Sequence, residues 1–174
     1  MDLRPVDSAV DAAGLMANPP TTHPSSDPSG KGETFPGIIA SAFGFLLDRG
    51  FQAVVEGDDA VAYEAPTGVF VRVFRDPRDR YVGFRVGLKS RPKDALTTAE
   101  LARLTGAESR GDYPESVTEL RASAVRLAQL LRDYGDRALG GDEKILDEAM
   151  VLRREYTKSF TRPQPPDEQL GKER

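Results

Sequence analysis

Between Phe51 and Leu88 four segments of strand character follow one another across gaps too short to hold a crossover helix, and no other feature of the sequence restricts the fold as much. The segments are residues 51–56, 60–65, 69–75 and 81–88. They are separated by Gly57-Asp58-Asp59, Pro66-Thr67-Gly68 and Asp76-Pro77-Arg78-Asp79-Arg80, each rich in the residues that tight turns require. Parallel neighbours need about a dozen or more intervening residues. The spacing therefore predicts an antiparallel meander. Within it Val69, Val71 and Val73 alternate with Phe70, Arg72 and Phe74, and Val82, Phe84, Val86 and Leu88 alternate with Tyr81, Gly83, Arg85 and Gly87. This period of two predicts one face packed on helices and another that mixes arginines with an aromatic and exposed glycines.

Helical patterns flank the meander. Thr34-Phe35-Pro36 combines a capping residue with a proline in the first turn, ahead of Ile39, Ala42, Phe43, Leu46 and Leu47, and Arg49-Gly50 stops the helix. After a basic loop from Lys89 to Lys93, Thr97-Thr98-Ala99-Glu100 fits a capping box that opens a short helix to Leu104. Ser116-Val117-Thr118-Glu119 fits a second box. It opens the longest helix, with a stripe of Leu120, Ala124, Leu127, Leu131 and Tyr134 that ends near Gly135 or Gly140. Asp142 caps the last helix, which places Ile145, Ala149, Leu152 and Tyr156 on one face with Leu146 and Met150 beside it. The predicted fold class is α+β: an N-terminal helix, a four-stranded antiparallel β-meander, then three helices packed on one face. Residues 35–161 form the single domain. Residues 1–34, with Pro19, Pro20, Pro24 and Pro28 among small polar residues, read as a disordered tail, and residues 162–174, opening on Arg162-Pro163-Gln164-Pro165-Pro166, as a second.

Composition narrows the chemistry. The 174 residues include no cysteine and one histidine, His23, which lies in the N-terminal tail. A histidine base, a cysteine nucleophile and zinc–thiolate sites are thereby removed from the domain, and we read it as non-catalytic, with no catalytic residues, no metal and no cofactor. Ser29-Gly30-Lys31-Gly32-Glu33-Thr34 departs from a phosphate-binding loop, because Ser25 stands where the first glycine belongs and Gly32 where the magnesium-binding hydroxyl belongs. Asp58-Asp59 and Asp76 with Asp79 read as turn residues, not as metal ligands. The strands carry no lysine and no acid-x-lysine pattern of the restriction-nuclease type. With no run of 18 apolar residues and no basic leader, the expectation is a cytoplasmic protein with no membrane partner.

Charge supplies the candidate site. The formal net charge is −4, yet the stretch from Arg72 to Lys93 carries eight basic residues against Asp76 and Asp79, a local +6 that leaves −10 for the remainder. The candidate binding residues are Arg72, Arg75, Arg78, Arg80 and Arg85, whose fork-shaped donors suit an acidic protein surface. Nucleic acid or another phosphate ligand on the same hairpin is the alternative, and an enzyme using carboxylates and arginines a third. Against all three stands a solvated hairpin whose arginines pair with the acids of neighbouring helices. Oligomeric state is left open.

The order of helix, meander and capped helices, together with the segment Leu130-Leu131-Arg132-Asp133-Tyr134-Gly135-Asp136-Arg137-Ala138-Leu139-Gly140-Gly141-Asp142, resembles small uncharacterised bacterial α+β proteins, some similar to immunity proteins of polymorphic toxin systems. The resemblance implies a protein that works by binding another protein. It assigns no functional residue.

Overall fold

The computed structural model describes residues 33–108 and 112–161. The expected C-terminal tail, most of the expected N-terminal tail, His23 and the glycine–lysine stretch at 29–32 lie outside the described residues. Thr34 caps the first helix, α1 (Phe35–Ala42), its Oγ1 accepting from the Gly37 N–H at 3.3 Å. The sequence predicts that this helix runs on to Arg49. Instead it ends at Ala42, and a single-turn helix, α2 (Phe45–Asp48), follows. Around Gly44 the bonding tightens to Leu46 N–H on the Phe43 carbonyl and Leu47 N–H on the Gly44 carbonyl, both three residues back. Glycine is a poor helix former, and the tighter turn lets Phe43 and Leu46 both be fully buried.

The meander is present and has one strand more than expected. Strands β1 (Gln52–Val55), β2 (Ala60–Glu64), β3 (Val69–Arg75), β4 (Val82–Leu88) and β5 (Leu96–Thr97) form one antiparallel sheet in sequence order. β5 escapes sequence reading because two residues cannot display a period. In the structure Leu96 is fully buried and lies opposite Val86, and Thr97 lies opposite Arg85. Val69, Val71, Val73, Val82, Phe84 and Val86 are all buried in one core with Ile38, Ile39, Leu127 and Leu131.

Among the described residues four helices, not three, follow the sheet: α3 (Thr98–Thr105), α4 (Val117–Tyr134), α5 (Asp136–Leu139) and α6 (Glu143–Thr161). The Thr97–Glu100 capping box forms in full, and α3 stops at Gly106, whose φ of 70° is left-handed. Only half of the second box forms. Ser116 Oγ accepts from the Glu119 N–H, while the Glu119 carboxylate accepts from the Glu115 N–H. Helices α1 to α5 all meet the sheet, and α6 lies chiefly against α3, α5 and the 3₁₀ turn Pro92–Asp94. α6 thus forms an outer layer, unlike the predicted packing of three helices on one sheet face, and Tyr134 and Tyr156 are exposed instead of buried. Among the described residues no helix is long and apolar enough to cross a membrane.

The two sheet edges differ. Beyond β5 the ladder of β4 is continued without a strand: Thr98 Oγ1 accepts from the Phe84 N–H at 2.8 Å and donates to the Phe84 carbonyl at 3.4 Å. Further along, the Val82 N–H reaches the Asp112 carbonyl at 3.0 Å. β1 forms the other edge, and all four of its residues are exposed.

Candidate functional site

The five arginines nominated by the sequence do not converge on one surface. Alternation along β3 places Arg72 on the open face of the sheet and Arg75 on the helix side, where its guanidinium lies 5.5 Å from the Phe35 ring centre. Arg78 and Arg80 sit in the loop between β3 and β4, where the Arg78 N–H donates to Asp76 Oδ1 at 2.8 Å in an Asx turn. Arg80 there adopts a left-handed backbone, φ 56°. The register sets Arg72 opposite Arg85. These two are the members that the fold brings together.

Their meeting point is Phe74. The Arg72 and Arg85 guanidinium carbons lie 5.9 and 5.7 Å from its ring centre, within the range of a cation–π contact. Phe74 also touches Tyr81, with ring centres 6.2 Å apart, and Tyr81 touches Tyr113 at 5.7 Å. The open face therefore carries a connected patch of arginine and aromatic side chains. Burial pushes the Tyr81 hydroxyl above its ordinary pKa of 10.0, with Tyr113 and Asp112 adding to the effect, so at neutral pH it stays a protonated donor.

The glycines on this face are covered, contrary to the expectation from the sequence. Gly83 and Gly87 are buried because large neighbours lie across them. A Cβ at Gly83 would stand 2.6 Å from Tyr81 Cε1, and one at Gly87 would stand 3.0 Å from Ala95 and 3.5 Å from Phe70 Cε1. Ala60 and Ala62, opposite Phe74 and Arg72, are buried in the same way. Large side chains bridging small ones make the patch flat. Gly83→Ala is accordingly expected to cost roughly 1 kcal/mol by pushing the Tyr81 ring aside. In a double-mutant cycle with Tyr81→Ala most of that cost should vanish, and strictly additive effects would mean that the ring does not cover Gly83.

Electrostatics divides the arginines again. Arg72 Nε donates to Glu56 Oε2 at 2.6 Å, and Arg75 Nε and Nη2 meet Asp59 Oδ1 at 2.8 and 2.5 Å. Lys89 pairs with Glu64, and Arg91 with Asp94, Glu143 and Asp147. Half of the basic stretch is thus neutralised, largely by Glu64 of β2 and by Glu56 and Asp59 of the turn between β1 and β2; only Arg91 reaches a helix. Among the described residues no carboxylate pairs with Arg78, Arg80 or Arg85. Of these, Arg85 alone also belongs to the aromatic patch.

At the loop end of the sheet, a depression of about 340 Å³ is lined by Glu56, Asp58, Asp59 and Asp76 as well as Arg72 and Arg75. Three of its four acids are engaged: Glu56 and Asp59 hold the two arginines, and Asp76 holds the turn. Among the described residues no group of three or more acidic or histidine side chains could hold a metal ion. Sequence reading passed over Phe74, Tyr81 and Tyr113 as site residues. The β3–β4 register, which faces Phe74 with Gly83, would have pointed to the first two. Tyr113 is brought in by the Val82–Asp112 bridge, which has no local signature. No family model, no curated protein and no solved structure matches the chain.

Proposed function

We propose that the protein is a non-catalytic binding module that recognises an acidic protein surface through the open face of its sheet, with an immunity-like or adaptor role. The observation that carries this reading is Arg85, an exposed guanidinium with no carboxylate partner among the described residues, set against Phe74 and opposite an arginine that is already neutralised. Arginine and aromatic side chains supply a large share of binding energy at protein interfaces, because they combine wide apolar contact with directed donors. A flat patch with one unbalanced positive charge suits a partner that presents a carboxylate beside apolar surface. Nucleic acid is the second reading, favoured by the same juxtaposition, since bases stack on aromatic rings and on guanidinium planes. The acids Glu56 and Glu64 on the same face, and the net charge of −4, weigh against it.

Arg85→Glu is the direct test, because it breaks no ion pair seen among the described residues and empties no core. A partner captured by the wild-type protein should bind the variant about tenfold more weakly, near 1.4 kcal/mol, with unchanged circular dichroism. Equal affinity of wild type and variant would remove the open face from the function. Measuring the captured complex at two salt concentrations separates the readings. A nucleic-acid partner would show a steep salt slope that becomes shallower in the variant, by roughly one unit for each phosphate that Arg85 neutralises in the wild type.

A further inference from the structure

β1 is an edge strand whose four residues are all exposed. We propose that two copies of this chain associate through β1, antiparallel about a two-fold axis, and join their sheets into one of ten strands.

The backbone pattern fixes which groups are free. The Glu56 N–H donates to the Ala60 carbonyl, so in the β1–β2 register Glu56, Val54 and Gln52 direct their N–H and C=O groups toward β2. Ala53 and Val55 then direct theirs outward, along the edge. Native sheets guard such an edge with a lysine, a proline, a bulge or a covering segment. Among the described residues β1 has none of these guards, and Val54 and Val55 are 46% and 62% exposed. Leu47, in the helix just before β1, is exposed as well.

A second copy fits because the strand complements its own reverse. With Val54 on the axis, Ala53 of each copy exchanges both backbone hydrogen bonds with Val55 of the other, giving about four bonds across the edge. On the open face Val54 meets Val54, and Gln52 meets Glu56, so each carboxylate faces an amide donor and not another carboxylate. Glu56 Oε2 is taken by Arg72, which leaves Oε1 for the amide. Shifting the pairing so that Val55 lies on the axis would press Glu56 against Val54 of the other copy. Centring it on Ala53 would set Gln52 against Val54. Only the register centred on Val54 matches apolar with apolar and donor with acceptor. A strand this short makes a small interface, so the dimer is concentration-dependent.

The chain has no cysteine, so one introduced thiol reports the register without interference. Val54→Cys in the full chain should form a disulfide-linked dimer under mild oxidation, because residues facing each other at a non-hydrogen-bonded antiparallel position bring their Cβ atoms within about 4.5–5.5 Å. Val55→Cys faces Ala53 and should cross-link at least tenfold more slowly. In sedimentation equilibrium the wild-type mass should rise from 19.0 kDa toward twice that value between about 10 µM and 1 mM, and Val54→Lys should remain monomeric. A wild-type protein that stays monomeric throughout this range overturns the proposal, as does a Val55→Cys variant that cross-links as fast as Val54→Cys. An association that Val54→Lys leaves intact overturns it too.

Discussion

Thr98→Val is expected to destabilise the protein by about 3 kcal/mol, although the two side chains have nearly the same shape. Thr98 is the first residue of α3 and only 3% exposed, and its hydroxyl stands where a longer β5 would have placed a peptide group. It satisfies both the N–H and the carbonyl of Phe84, whose own side chain is buried. Valine would leave two backbone groups without partners in a place that water does not reach, at about 1–3 kcal/mol for each group. Thr98→Ser keeps the hydroxyl and loses a methyl group, so it should cost about 1 kcal/mol. Urea unfolding of the three proteins makes the comparison. A valine variant within about 0.5 kcal/mol of the serine variant would mean that the Phe84 peptide is solvated and the hydroxyl is not its partner.

Arg153→Ala should cost about 2 kcal/mol, and the loss should depend on pH. From α6 the guanidinium reaches Glu100 through Nε at 2.8 Å and Nη2 at 2.9 Å, and it also donates to the carbonyls of Ala95 and Lys93 at 3.1 and 3.3 Å. One side chain thereby ties the outer helix to the segment entering β5 and to the capping box of α3. The figure is kept modest because the arginine is 37% exposed, and water screens part of the pair. Burial by itself would raise the Glu100 carboxyl. The Arg153 guanidinium and the Thr97 N–H and hydroxyl together outweigh it and hold the group below its ordinary 4.5. A carboxyl whose folded pKa is depressed stabilises the fold above the unfolded value and loses that contribution as pH falls through the folded one. The gap in stability between wild type and Arg153→Ala should therefore be full at pH 7 and shrink below about pH 4.5. A gap that is constant from pH 7 to pH 3 would assign the effect to packing of the arginine stem instead.

The class of fold was legible because turn chemistry and a period of two act locally. Asp76-Pro77-Arg78-Asp79-Arg80 and the valines of β3 and β4 needed nothing distant to declare a hairpin, and Thr97 with Glu100 declared the start of α3. What escaped depends on partners far along the chain. β5 exists because β4 offers it a ladder, α2 separates from α1 because Phe43 and Leu46 share one core, and Asp112 is recruited to the sheet by Val82. The candidate site was legible only in part. Charge counting found Arg72 and Arg85, but it cannot tell which arginines have neighbours of opposite sign. It grouped Arg75 with Arg72, although alternation puts them on opposite faces. The same alternation read as bare glycines what are in fact the floors beneath Tyr81 and Phe70.

The Thr98 hydroxyl and the Asp112 carbonyl close the β4 side of the sheet without adding a full strand there. A sheet open on both sides can add copies without limit and grow into a fibre, because each addition regenerates the edge that it used. At the other edge β5 has only two residues, and its Thr97 N–H is already held by the Glu100 carboxylate, so among the described strands β1 is the more open edge. In the dimer proposed above the composite sheet would end at β5 and the closed side of β4 in each direction, so edge-to-edge addition through this sheet would stop at two copies, and a Thr98 variant would weaken that stop as well as the fold.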